Sequence, residues 1–318
     1  MVLWNNEMIF FLNSLVPVFV IILLGWLMAR WRLIAAFHAK TFANFVLNIT
    51  LPALIISGLS DVPVKDLLNI SYLYAYLAGL LITFSLSWLI SLWFYPGNLS
   101  DHCLRAFVSN FSNSGFMGIP VLTTLLGQQI LAPLLVVNIA MTVLLNLAAF
   151  IVLEVARANA RLSINSLLTI ILKVLAKPMM VATLVALTFA GLGWQLPLVV
   201  KSSAQLLGEA TSPCALFAIG LALARQRVRL NWEIWFNASY KLILQPLVIF
   251  ALLAWVFNAQ GMKAQTALLA AALPAGTSGV LLAQYYRTYR QQSASTVLLT
   301  TLMSMLTLPL FIKLSAYL

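Results

Sequence analysis

Only two ionisable side chains, Glu209 and Lys241, fall inside the long apolar runs of this chain. Ionisable groups are costly in hydrocarbon, so each is a functional candidate by default. Glu209 can serve as a proton-coupling carboxylate, or it can sit in a wet vestibule or cap a neighbouring helix. Lys241 can offer a fixed positive charge to an anion, pair with a carbonyl at a helix break, or snorkel to the interface. The other candidates are neutral. Asn110, Asn113, Ser114 and Gly115 precede Gly118 and Pro120 in one apolar run, and Pro274, Ala275, Gly276, Thr277 and Ser278 precede Gly279 in another. Proline removes a backbone donor and glycine weakens a helix, so each run is expected to break into two half-helices. A half-helix that starts at such a break points free N–H groups and a partial positive charge at it, which suits an anion, most simply a carboxylate. Neutral Asn, Ser and Thr donors keep binding weak enough for release. The rival reading is that these small residues only let two helices approach closely.

Asn138, Thr142 and Asn146 recur at i+4 steps and share one helical face, either as a substrate-path stripe or as interhelical hydrogen-bond glue. Thr83, Ser87 and Ser91 have the same spacing, with packing the expected role. Chemistry of other kinds finds little support. The seven acids, Glu7, Asp61, Asp66, Asp101, Glu154, Glu209 and Glu233, are scattered, and His38, His102, Cys103 and Cys214 lack metal-ligand spacing. No phosphate-binding loop is present either. An enzyme, a disulfide framework, a metal and a cofactor are therefore not expected.

The elements that must position these residues follow from composition. Of 318 residues, 63% are hydrophobic and 8% charged, with a mean hydropathy of +1.00. Soluble domains are nearer 45–50% apolar and about 25% charged. The chain is read as an all-α integral membrane protein, because continuous apolar runs of this length suit helices and not barrel strands. Ten spans are expected, at residues 8–29, 41–59, 67–95, 106–126, 130–153, 178–196, 202–224, 234–258, 264–284 and 294–312. The first reads as a retained span and not a cleaved leader, since no basic segment precedes it. Arg30, Arg32, Lys40, Arg105, Arg157, Arg161, Lys173, Lys177, Arg225, Arg227, Arg229, Arg287 and Arg290 follow the odd-numbered spans, against Lys65, Lys201, Lys263 and Lys313 on the other side. Thirteen bases against four place the odd connections in the cytoplasm and both termini outside. The net charge of +11 is thereby explained as topology, and no nucleic-acid partner is expected.

An offset of 161 residues superposes Pro17 on Pro178, Pro52 on Pro213, Gly115 on Gly276 and Gly118 on Gly279, and puts Asn48 on Glu209. Such internal symmetry is the signature of a repeat. Residues 1–160 and 161–318 then form two five-helix repeats, and the odd number of spans in each makes them inverted. Spans four and nine correspond, and paired interruptions of this kind point to a transport site. Pro52 and Pro213 mark further helix-weakening points in spans two and seven.

The chain resembles the auxin efflux carrier family, which includes plant PIN proteins and bacterial malonate or malate permease-like members. The motifs are Leu51-Pro-Ala-Leu54, Asn113-Ser-Gly-Phe-Met-Gly-Ile-Pro120, Pro213-Cys-Ala-Leu-Phe-Ala-Ile-Gly220, Lys241-Leu-Ile-Leu-Gln-Pro246 and Ala272-Leu-Pro274. They span nearly the whole chain. The resemblance implies a dimerising scaffold of spans one, two, six and seven, and a mobile transport domain of the other six. Spans four and nine would cross at their breaks beside the substrate. Plant members carry proline at both crossings, whereas here Pro274 supplies one and Asn113 stands at the other. The long cytoplasmic loop of many plant members is missing, which suits a compact carrier in the plasma (inner) membrane. The function expected is secondary or facilitative transport of a small organic anion by elevator-type alternating access. The alternative is a channel or membrane receptor that uses the same broken-helix site.

Overall fold

The computed structural model describes residues 16–17, 20–59, 71–158, 172, 176, 178–224 and 230–318. The start of the first span, Glu7, Asp61, Lys65, Asp66, Arg161, Lys173, Lys177, Arg225, Arg227 and Arg229 lie outside the described residues. Those described are helices and their connections, with a single isolated β-bridge between Ser112 and Ala275. Long apolar runs leave the backbone no water to bond, and the helix satisfies each N–H and C=O within the segment. Among the described residues six helices are long and apolar enough to cross a membrane: Ala36–Gly58, Ser71–Phe94, Leu131–Ala156, Leu198–Leu223, Trp232–Val256 and Arg290–Ser315. The expected spans four and nine are not among them, because each is divided into two short helices.

The chain forms two compact units. The first comprises Met1–Leu68, Gly115–Leu135 and Lys177–Gln226. Within it Leu51–Leu59 packs on both Pro178–Leu192 and Leu198–Glu209, and Ala39–Phe45 packs on Thr211–Leu223. Close backbone approach makes this possible. A Cβ on Gly220 would strike the Ile22 carbonyl and lie 2.8 Å from the Trp26 nitrogen, and one on Gly208 would lie 2.9 Å from Leu54 Cα. Pro52 and Pro213 lack the N–H that would bond the carbonyl four residues back. The chain accommodates Pro52 just after a wide π-turn, Val46–Thr50, and Pro213 just after an interruption at Ala210.

The second unit comprises Asn69–Ser114, Val136–Ala176 and Arg227–Leu318. Its Ser71–Phe94 helix packs on Leu99–Val108, and Arg290–Ser315 packs on Trp232–Ser239, Met262–Ala272 and Ser278–Tyr285. The first half of span four begins at Leu99 and not at Ala106. The reason is an Asn98–Asp101 capping box, in which each side chain bonds the other residue's backbone N–H, a device that starts a helix whatever its hydropathy. The charged residue in the last turn of this helix is carried by pairing. Arg105 meets Glu233 at 2.6 Å, with side chains 4% and 14% exposed. It also bonds Ser91 and lies over the Tyr95 and Tyr289 rings, 4.6 and 5.2 Å from their centroids. The Tyr289 hydroxyl donates to the same Glu233 oxygen at 2.5 Å, and burial pushes the pKa of this phenol up, so it stays protonated.

Candidate functional site

The two interrupted runs meet at their interruptions, within the second unit. Leu99–Val108 ends and the chain leaves helical geometry, resuming with a π-turn, Ser114–Gly118. Met262–Ala272 ends at Leu273, whose backbone is extended, and Ser278–Tyr285 resumes. The extended residues between them pair antiparallel. Asn113 N–H donates to the Pro274 carbonyl at 2.8 Å, and Gly276 N–H donates to the Phe111 carbonyl at 2.8 Å, flanking the Ser112–Ala275 bridge. Two irregular backbone segments thus satisfy each other, as their burial requires. Ala275 N–H reaches Thr300 Oγ1 at 3.1 Å, and Ser112 N–H faces the Met141 sulfur at 3.2 Å.

Side chains follow from this pairing. Gly276 is required by it, since a Cβ would lie 2.7 Å from the Phe111 ring and 3.0 Å from the Ser112 carbonyl. Asn113, which occupies the position matched to Pro274 in the 161-residue register, contributes an N–H that a proline would lack. Its own amide Nδ2 is buried with no hydrogen-bond partner among the described residues. A buried orphan donor is costly unless something supplies an acceptor. Asn110 Nδ2 donates to the Ala106 carbonyl at 2.8 Å, while its Oδ1 is likewise unpartnered. Ser114 Oγ donates to Asn138 Oδ1 at 2.6 Å, tying the stripe of the Leu131–Ala158 helix to the crossing. Thr142 and Asn146 are buried on the same helix. Thr277 and Ser278, at the start of the resumed helix, are half-buried.

Lys241 is fully buried, which removes the snorkelling alternative. Its Nζ donates to Ser112 Oγ at 2.9 Å, Gln245 Oε1 at 2.7 Å and the Ala271 carbonyl at 2.6 Å. Gln245 in turn donates through Nε2 to the Asn110 carbonyl at 2.8 Å. Both residues lie on the span-eight helix, Lys241 in its Tyr240–Leu244 π-turn and Gln245 one turn later, before Pro246. Glu209 stands elsewhere: it closes the Leu198–Glu209 helix of the first unit with its side chain exposed. Gly115, Gly118 and Pro120 also fall in the first unit, as do Pro52 and Pro213. Gly279 is buried in the second, where a Cβ would meet Val108 at 3.2 Å.

Four participants escape a search for unusual residues: Ser112, Gln245, Thr300 and Met141. Gln245 had a signal, one turn after the only lysine inside a span. The others are ordinary in apolar helices and are recruited only by proximity.

Comparison with known proteins identifies the family. The family model for membrane transport proteins matches residues 10–312. A Rhizobium meliloti protein named "Putative malonate transporter" is 26% identical over 292 residues, covering 92% of this chain and 91% of its own length. The Escherichia coli K12 protein named "Uncharacterized transporter YfdV" is 26% identical over 308 residues, covering 96% and 98%. A Methanocaldococcus jannaschii protein, "Uncharacterized transporter MJ1031", is 23% identical over 310 residues, covering 92% and 95%. Family and relatives alike mark a transporter and not an enzyme, and the chain belongs to the membrane transport protein family, the auxin efflux carrier family that its motifs resemble.

Proposed function

We propose that this protein is a secondary or facilitative carrier of a small organic anion, a carboxylate, bound at the crossing of two broken helices. The observation that carries the reading is the Asn113 amide, a buried donor without a partner among the described residues, set in a backbone pair that precedes the Ser278–Tyr285 helix. An anion there gains the positive helix end and a neutral hydrogen bond together. Asn110, Ser114, Asn138, Asn146, Pro274, Ala275, Gly276, Thr277 and Ser278 complete the proposed substrate region.

The wider architecture belongs to the same proposal: ten helices in two inverted five-helix repeats, in the plasma membrane with both termini outside. The chain would act as a homodimer through the scaffold spans, with the transport domain moving as an elevator. Supporting this division, the described residues of spans two, six and seven fall in one compact unit, while those of three, eight, nine and ten fall in the other. The second half of span four groups with the first of these units. Glu209 is the proposed proton-coupling carboxylate of the scaffold.

The name of the Rhizobium relative makes malonate the first probe. Purified protein is screened by thermal shift against malonate, other mono- and dicarboxylates, indole acids and neutral metabolites, and hits are followed by counterflow in proteoliposomes. Stabilisation and saturable counterflow by a carboxylate support the carrier. Flux without saturation indicates a channel, and stabilisation by neutral metabolites alone overturns the anion assignment. For coupling, Glu209→Gln should abolish the pH dependence of uptake, and persistence of that dependence would remove Glu209 from the mechanism.

A further inference from the structure

Two half-helices end at the crossing, and each presents carbonyl groups and a partial negative charge there: Leu99–Val108, with Asn110 just beyond it, and Met262–Ala272. In carriers built on broken helices, such carbonyl ends are where a mobile sodium ion or proton is coordinated. Here both are already occupied from one neighbouring helix. The Lys241 ammonium takes the Ala271 carbonyl, and Gln245 takes the Asn110 carbonyl while turning its own Oε1 onto the same ammonium. Ser112 Oγ, from the crossing strand itself, supplies the third oxygen. The three oxygens lie 2.6 to 2.9 Å from Nζ, all are neutral, and no carboxylate pairs with Lys241 among the described residues. A lysine paired with a carboxylate would be an ion pair. A lysine held by three neutral oxygens, two of them able only to accept, is instead coordinated as a small cation would be.

We propose that Lys241 is a resident cation of the crossing: its side-chain ammonium fills the cation site formed by the two half-helix C-termini, so a mobile metal ion is not needed there. Lys241 is on this view a positioning residue. It neutralises the carbonyl ends and holds Ser112, and through Ser112 the strand that carries Asn113. The transport consequence rests on the carrier reading above, whereas the cation site itself does not.

The test separates the two. Lys241→Ala should open the site, and Lys241→Met should remove the charge while keeping it filled. Thermal denaturation of purified wild type and both variants is measured in choline chloride, sodium chloride and ethylammonium chloride at equal ionic strength. Lys241→Ala should be less stable than wild type in choline and regain on the order of 3 °C or more in sodium or ethylammonium. Wild type and Lys241→Met should not respond to the cation. A folded Lys241→Ala protein indifferent to every cation overturns the proposal, because a merely structural side chain gives that result. Wild-type protein carries the second arm, which stands even if neither variant folds. Malonate uptake, or malonate-induced stabilisation, should change less than about twofold when sodium replaces choline. A tenfold dependence on sodium would show that the ammonium does not replace a mobile ion. Absence of any substrate response would count against the carrier reading alone and would leave the cation arm to decide Lys241.

Discussion

Replacing Asn113 by alanine should separate binding from stability in opposite directions. Its backbone N–H to the Pro274 carbonyl survives the change, and only the side-chain amide is lost. In the unliganded protein that amide has a buried Nδ2 with no partner among the described residues, a state that costs about 1–3 kcal/mol. Removing it relieves that cost, partly offset by the packing of the lost atoms, so folding stability should stay level or rise. In the bound state the same amide would donate to a carboxylate, and a hydrogen bond to a charged group is worth about 1.5–3 kcal/mol. At a factor of ten per about 1.4 kcal/mol, affinity should fall roughly 10- to 150-fold. Both quantities come from one experiment, thermal unfolding in detergent over a carboxylate titration. A variant whose Tm drops by more than about 4 °C without substrate, yet binds as tightly as wild type, would refute the reasoning and make the Asn113 amide structural.

Gly276→Ala should destabilise the crossing by about 1–3 kcal/mol, because backbone and a ring stand 3.0 and 2.7 Å from the new methyl. Gly279→Ala, facing Val108 at 3.2 Å, should cost clearly less, and the reverse order of Tm values would contradict the pairing. Glu233→Ala leaves the Arg105 guanidinium buried without its partner and should cost about 3–5 kcal/mol. Replacing Arg105 and Glu233 together by methionine should recover most of that loss, and equal losses for the single and double changes would deny the ion pair its role. Cysteines introduced at positions 1 and 318 should react with an impermeant maleimide from outside intact cells; protection of either would reverse or shorten the expected topology.

Membrane class and family are legible in the chain because both depend on content and order. A 63% apolar sequence has no soluble alternative, and the motifs of the carrier family recur in sequence order across nearly its whole length. The interruptions are legible for a local reason. Proline, glycine and asparagine weaken a helix wherever they stand, so the non-helical residues around Asn113 and Pro274 declare themselves without knowledge of the neighbours. Leu99–Val108 does not. Hydropathy sees Asp101, His102 and Arg105 as a loop, whereas a capping box and a buried ion pair with Glu233, 128 residues away, make the same residues helix.

What the sequence determined by itself, then, is which segments are apolar helix, where they weaken, and to which family they belong, since each depends on residues near in the chain. Which weak points face each other, and with what register, was decided by tertiary structure. Asn113 is matched to Pro274 by the 161-residue offset, but only folding brings its N–H onto that proline's carbonyl. Lys241 shows the same division in one side chain. Its sequence position left snorkelling, anion binding and carbonyl pairing open, because the cost of a buried charge depends on what surrounds it. Folding supplies those surroundings, three oxygens from three different elements converging on one nitrogen.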